Sequence, residues 1–294
     1  MGCGDIEGIV KRNEIHHGGT ENTEKRKGNQ ERAGTMKIYI ATDLEGISGV
    51  YRFDQTREYG TPENIEARHL LMGDVNAAVC GAFDGGATRV VVRDGHNGAK
   101  SFFPEELDER AEMIMGRFSP MDVVMRQGFD AAILLGYHAM SNTEGGILCH
   151  TQSSKTWDNY WINGELAGEI RQSAILLGAS GIPVIMVTGD DKAKKEAKDL
   201  LGDDIVTVQV KHGLSREGAV MLSPKKARAM IREGAKEAMK IIPKIKPYKQ
   251  EFPATIKWQY LISDIVTNYK GDATRIDDRT LEKVVDSPVK IFSP

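Results

Sequence analysis

Two carboxylates open the chemistry of this chain. In "YIATDLEGISG", Tyr39 to Gly49, an apolar run over Ile38–Thr42 reads as a buried strand that ends in Asp43 and Glu45. Strand residues i and i+2 face the same side. Two unpaired carboxylates held that close repel each other, and burying them costs several kcal/mol or more, so something positive must meet them. Other apolar runs end in similar residues: Asp94 and His96 in "RDGH", His138 in "LGYH", and Glu169 at a hairpin-to-helix junction in "NGELAGE". Asp, Glu and His together are the ligands of hydrolytic zinc or manganese sites. The required positive charge reads as divalent cations.

A ligand count points to two ions. A pair of four-coordinate ions takes about eight metal–ligand bonds. Asp43, Glu45, His96, His138 and Glu169 supply one each, and Asp43 a second if it bridges; a shared water supplies the rest. Taken singly, each residue has a structural reading. Asp43 and Glu45 suit a solvated turn, His96 and His138 suit hydrogen-bonded structural histidines, and Glu169 suits a helix surface. Their convergence at strand ends carries the metal reading, because open α/β sheets gather chemistry at the carboxyl ends of strands. In "GILCHTQ" (146–152), read as a strand, Cys149 and His150 point to opposite faces and do not pair. Cys149 then belongs to the core, and His150 is the free imidazole, able to move a proton at neutral pH.

These positions need a scaffold of alternating elements. Strands are expected at 37–43, 88–96, 131–138, 146–152, 182–191 and 204–213. Helices are expected at 62–83, 166–177 and 223–241, with Asp190 or Asp191 capping another and Asn163-Gly164 turning a hairpin. The pattern predicts an α/β fold with a mixed or mostly parallel sheet flanked by helices, and a smaller, less regular C-terminal part from Ala254. Residues 1 to 35 are polar and charged and read as a disordered extension, with 36–294 as the catalytic domain and Met36 a candidate start. His16 and His17 read as part of that solvated tail.

Composition narrows the function. The 294 residues are 40% hydrophobic and 28% charged, with net charge −3, which is ordinary for a soluble chain and suggests neither a nucleic-acid nor an anionic-membrane partner. No apolar run is long enough to span a bilayer, no signal-type segment opens the chain, and three cysteines suit a reducing cytoplasm. "DGGAT" lacks the Lys-Ser/Thr of a phosphate-binding loop.

With the residues assembled, the chain resembles the zinc-dependent D-aminopeptidase family of bacterial dipeptide-transport operons. The likeness runs from about Met36 to Thr280 through "DLEGISG", "RDGHN", "LGYHAM", "HTQS", "NGELAGE", "VTGDD" and "VKHGLSREGAVMLSP". It implies that Asp43, Glu45, His96, His138 and Glu169 ligate two zinc ions, and that His150 is catalytic, as nucleophile or as acid/base. It also implies release of N-terminal D-amino acids from short peptides, and a homo-oligomer, pentamer or decamer. Lys211 and Arg216 are candidate holders of a substrate carboxylate, with structural salt bridges as the other reading. Two features depart from the family pattern: the segment before Met36, and an ending "VVDSPVKIFSP" where a longer amphipathic helix is expected after Arg279. A two-metal phosphoesterase and a non-catalytic oligomeric peptide- or metal-binding protein are the competing readings.

Overall fold

The computed structural model describes residues 34–116, 124 and 127–292. The expectations for residues 1 to 33, His16 and His17 among them, lie outside the described residues. Met36–Pro294 is one compact unit.

Its elements in chain order are β1 (Lys37–Thr42), a single helical turn α1 (Asp54–Arg57), α2 (Pro62–Asp84), β2 (Arg89–Asp94), β3 (Glu112–Ile114) and β4 (Ala131–Leu135). There follow β5 (Trp157–Ile162), β6 (Glu165–Leu166), α3 (Glu169–Ala179), β7 (Val184–Asp190), α4 (Asp191–Leu201), β8 (Val206–Ser215) and β9 (Gly218–Met221). The chain continues through α5 (Pro224–Ile241), β10 (Ala254–Tyr260), α6 (Asp264–Thr267), β11 (Thr274–Arg275) and β12 (Thr280–Val285).

Seven strands form one sheet in the order β3-β2-β1-β4-β7-β8-β9. All its neighbours pair in parallel except β8 and β9. The central strands are apolar along their whole length because helices cover both faces. Ile38 and Ile40 of β1, with Ile133 and Leu135 of β4, pack among Leu71, Val75, Ile231 and Ala235 of α2 and α5. The alternate residues Tyr39, Ala41, Ala132 and Leu134 pack among Ile170 and Ala174 of α3 and Ala193 and Ala197 of α4. The chain builds outward from β1 on one side and from β4 on the other. The gap between their carboxyl ends is therefore the switch point where open sheets place ligands.

The expected α/β class with a mostly parallel sheet is what the chain forms. Helix boundaries fall close to expectation, and Asp190 caps α4 by accepting from the Ala193 N–H at 2.7 Å. Three differences matter. First, residues 146–152 are turns, with Leu148 at φ 51° and Gln152 at φ 62°. The apolar pair Ile147–Leu148 is buried by the loop itself, with the Ile147 N–H bonded to Asp190 Oδ2 at 2.8 Å, so an apolar run here signals burial without a ladder. Second, the strands end earlier than expected, at Asp94 and Leu135, which puts His96 and His138 in loops. Third, the C-terminal part is regular. β10 and β12 join β5, β6 and β11 in a second, five-stranded antiparallel sheet, order β11-β12-β10-β5-β6. Thr280–Val285 and a 3-10 turn at Pro288–Phe292 stand where a longer helix was expected. α3 serves both layers, since Ile170 and Ala174 face the first sheet and Ile175 joins the core of the second.

Candidate metal centre

The strand ends are brought together by close backbone approach. The Asp43 N–H donates to Leu135 O at 2.8 Å, and the Gly46 N–H donates to Gly136 O at 2.7 Å. A Cβ on Gly46 would lie 2.1 Å from Tyr137 O, and one on Gly136, which has φ +75°, would lie 2.4 Å from Asp43 O. Glycine at both positions is what lets the loop after β1 press against the loop after β4. α3 then delivers Glu169 as its first residue, and the 146–152 loop delivers His150.

Six side chains meet there in two groups. Asp43, Glu45 and His96 offer donor atoms all within 4.8 Å of one another, and so do His138, His150 and Glu169. His96 Nδ1 lies 3.1 Å from Asp43 Oδ1 and 3.2 Å from Glu45 Oε2. His138 Nε2 lies 3.3 Å from Asp43 Oδ2 and 3.4 Å from Glu169 Oε1, while His150 Nε2 is 3.8 Å from that same oxygen. Asp43 thus turns one oxygen toward each group.

Each imidazole is oriented by a backbone carbonyl, which can only accept. His96 Nε2 faces Thr56 O at 2.9 Å, His138 Nδ1 faces Ala139 O at 2.9 Å, and His150 Nδ1 faces Leu148 O at 2.8 Å. The N–H is therefore fixed on those nitrogens. His96 Nδ1, His138 Nε2 and His150 Nε2 are the nitrogens turned toward the carboxylates, and each would offer its lone pair to a bound cation. The rings of His138 and His150 stack at 4.0 Å and 13°.

The electrostatics are those of a site that wants positive charge. Burial opposes ionisation of Asp43, yet the imidazoles of His138 and His96 against its oxygens hold it well below the usual carboxylate range. Burial likewise works against Glu169, but the charge of His138 prevails and brings it to about 2. Glu45 is lowered too, with His96 overcoming burial. Burial would lower His96 and His138, but the surrounding carboxylates raise both well above the ordinary histidine value. His150 goes the other way, lowered by burial and by its stacked neighbour His138.

The donor set fits metal. Zinc bonds of about 2.0–2.1 Å in a tetrahedron put donor atoms roughly 3.3–3.4 Å apart, close to most of the contacts here. His138 Nε2 and Glu45 Oε2 are buried with no hydrogen-bond partner. Their close contacts are misaligned for hydrogen bonding, as expected of lone pairs aimed at a shared third point. An unpaired buried polar atom costs about 1–3 kcal/mol, which a cation would relieve.

Around this centre lie residues with supporting roles. Asp94, a strand-end candidate, is fully buried and accepts from the Ser101 and His96 N–H groups, so it shapes the loop that carries His96. Lys211 holds no substrate: its Nζ donates to the carbonyls of Glu45, Ile47 and Val50 at 2.6, 3.0 and 2.5 Å, pinning the loop after β1. Arg216 donates to Cys149 O at 3.4 Å. Cys149 is buried, with Sγ against Thr143 O at 3.5 Å. Glu196 takes the Met140 N–H at 2.7 Å behind the His138 loop, and burial pushes its carboxyl up to about 7. Sequence reasoning missed Thr56, Arg57, Asn97 and Ser153–Lys155, which line the cavity over the metal ligands. The only hint was the polar run after "HTQS".

The family model described as D-aminopeptidase (Peptidase_M55) matches residues 36–293. A D-aminopeptidase of Bacillus subtilis (strain 168) is 34% identical over 215 residues, 72% of this chain and 77% of that one. The solved structure of the Zn-dependent D-aminopeptidase DppA from Bacillus subtilis, described as a self-compartmentalizing protease, superposes with TM-score 0.80 at 27% identity, covering 87% of this chain and 94% of that one. With nearly the whole described unit matched, the chain belongs to the D-aminopeptidase family of metallopeptidases.

Proposed function

We propose that residues 36–294 form a zinc-dependent aminopeptidase that removes N-terminal D-amino acids from short peptides at a two-metal site. The observation that carries the two-ion reading is the split of Asp43, one oxygen toward Glu45 and His96 and the other toward His138 and Glu169. Asp43, Glu45, His96, His138 and Glu169 would hold the pair. Zinc bound by these residues would polarise a carbonyl and acidify water. His150 is the proton-handling group. Its Nδ1–H is committed to Leu148 O, so Nε2 is the nitrogen that accepts or delivers a proton at the scissile bond. Its 3.8 Å separation from Glu169 is the longest in the group, which suits a residue beside the ligand shell. The substrate's free amine would bind at the metal pair or at an acidic group beside it, so a blocked N-terminus is not accepted.

The solved relative is described as self-compartmentalizing. By likeness we read this chain as a homo-oligomer, as a pentamer or decamer. Among the described residues no helix is long and apolar enough to cross a membrane. The free thiols of Cys80 and Cys149 support our proposal of a reducing, cytoplasmic location. Metal analysis after zinc reconstitution, followed by matched D- and L-alanyl peptides, tests the reading. About two zinc per chain and faster turnover of the D-peptide are expected. One ion or none would overturn the bridging Asp43, and equal rates on both peptides would overturn the D-selectivity.

A further inference from the structure

Two cations at the mouth of the site have no part in the chemistry above. The cavity over the metal ligands is about 400 Å³, and the carboxylates among its lining residues are Asp43, Glu45 and Glu169. All three are assigned to metal. Once cations neutralise them, Arg57 and Lys155 are the charged groups left on the lining, with Glu217 acting on Arg57 from outside it.

Arg57 is held in place. Its Nε donates to Ser154 Oγ at 2.9 Å and its Nη2 to Ser154 O at 3.1 Å. Its Cζ lies 3.4 Å from the centre of the Phe53 ring, which packs edge-to-face with His150 at 6.3 Å between ring centres. Arg216 lies 4.9 Å from the centre of the same ring and adds positive charge, while Glu217 is tied to the Phe53 N–H at 2.9 Å. The residue before Arg57 is Thr56, whose carbonyl orients His96. The guanidinium therefore spends one edge on Ser154, and no hydrogen bond from Nη1 is present among the described residues. A planar cation, fixed by stacking and with donors to spare, is the group that recognises a carboxylate. Lys155 is exposed and adds a flexible point charge beside it.

We propose that Arg57, assisted by Lys155, binds the C-terminal carboxylate of the substrate, so that this enzyme selects short peptides with a free carboxyl end. The inference rests on the peptidase reading and names the substrate class of that site. It ties length to charge. A peptide whose amine end sits at the metal ligands and whose carboxylate reaches Arg57 is held at both ends within one small cavity. A longer peptide, or one amidated at its C-terminus, forfeits the second hold.

The test uses the zinc-loaded full chain and alanyl di- and tripeptides, each as free acid and as C-terminal amide. The wild type is expected to show kcat/KM at least about tenfold higher on the acid, mostly through KM, with the preference shrinking as salt is added. Arg57→Gln should bring the acid-to-amide ratio close to one with zinc content retained. Arg57→Lys should keep part of the ratio, and Lys155→Gln should reduce it by a smaller factor. A ratio near one in the wild type overturns the subsite. So does an Arg57→Gln variant that slows acid and amide equally, since that would mark a residue that only positions His96. If Arg57→Gln loses zinc or fold, Arg57→Lys and Lys155→Gln carry the test, and an unchanged ratio in both overturns it. Absence of peptide cleavage by the zinc-loaded wild type would instead overturn the peptidase reading, and the subsite with it.

Discussion

The carboxyl edge of the seven-stranded sheet and the core of the five-stranded sheet bury their polar atoms in opposite states. At the edge, Asp43, Glu45 and His138 are withdrawn from water, and Glu45 Oε2 and His138 Nε2 have no hydrogen-bond partner. In the second sheet, Trp258 and Tyr160 are buried as deeply, but Trp258 Nε1 donates to Tyr260 Oη at 2.9 Å and Tyr160 Oη donates to Ile291 O at 2.7 Å. One region is satisfied by its own chain, and the other leaves polar atoms that a bound cation would satisfy. α3 joins the two, with Glu169 at its first turn in the centre and Ile175 in the second core.

Breaking the centre should cost activity far more than fold. His138→Ala removes a ligand and should lower zinc content, with activity falling by roughly 10⁴ or more, on the scale at which a lost metal removes the chemistry it supplies. Thermal unfolding of the metal-free variant should stay close to that of the metal-free wild type. A large drop in the melting temperature of the metal-free protein would mean that the centre also holds the fold.

His150→Ala should keep both zinc ions and lose roughly 10²–10⁴ in turnover, the usual contribution of a general acid or base. Elemental analysis decides the role. If His150→Ala empties a metal position while His138→Ala keeps its metal, the two stacked histidines have exchanged parts.

The second sheet should respond in the opposite way. Trp258→Ala should destabilise the chain by about 3–5 kcal/mol, as large-to-small changes in a packed core do. At temperatures where the variant is folded, zinc stoichiometry should be unchanged. Loss of zinc from a folded Trp258→Ala variant would show that the two regions are coupled through α3.

The smallest effect concerns Asp74 on α2, which holds the far end of the loop after β1 and lies 3.5 Å from Arg228 Nε. It accepts from the Ser48 N–H at 2.9 Å and from Ser48 Oγ at 2.7 Å, and burial pushes its carboxyl up to about 6 from 3.8. Between those values the folded state keeps a proton that the unfolded chain has released, so this group's contribution to stability falls as pH rises and levels off above about 6. Asp74→Asn removes that dependence. The melting temperature of the metal-free wild type relative to Asp74→Asn should therefore be higher at pH 4.5 than at pH 7. A difference that grows with pH would show Asp74 to be stabilised as the ion.

Legibility in the sequence followed burial. β1, β4 and β7 are covered on both faces, so their apolar runs announced them, and the residues just past β1 and β4 were found as site candidates. β10 alternates buried and half-buried residues and was visible as a start, but β11, at the edge of the same sheet, is only two residues long and carries no period to read. The 146–152 segment misled because apolar content reports burial and says nothing about hydrogen-bond partners. The reason first given for separating Cys149 from His150, alternation along a strand, therefore does not apply. They are separated by a turn that sends Sγ toward Thr143 and the imidazole toward the carboxylates.

The sequence by itself determined which donor atoms exist and that they follow strand ends, because hydrophobic periodicity marks where strands stop and the types of the next residues are given outright. Tertiary structure alone decided which nitrogen of each imidazole faces inward. That choice is made by the carbonyls of Thr56, Ala139 and Leu148, and a carbonyl is common to every residue, so no side-chain type encodes it. The same holds for Arg57, whose anchor Ser154 lies 97 positions along the chain. A contact of that span is set by how the loops pack over the sheet edge, and it leaves no local pattern.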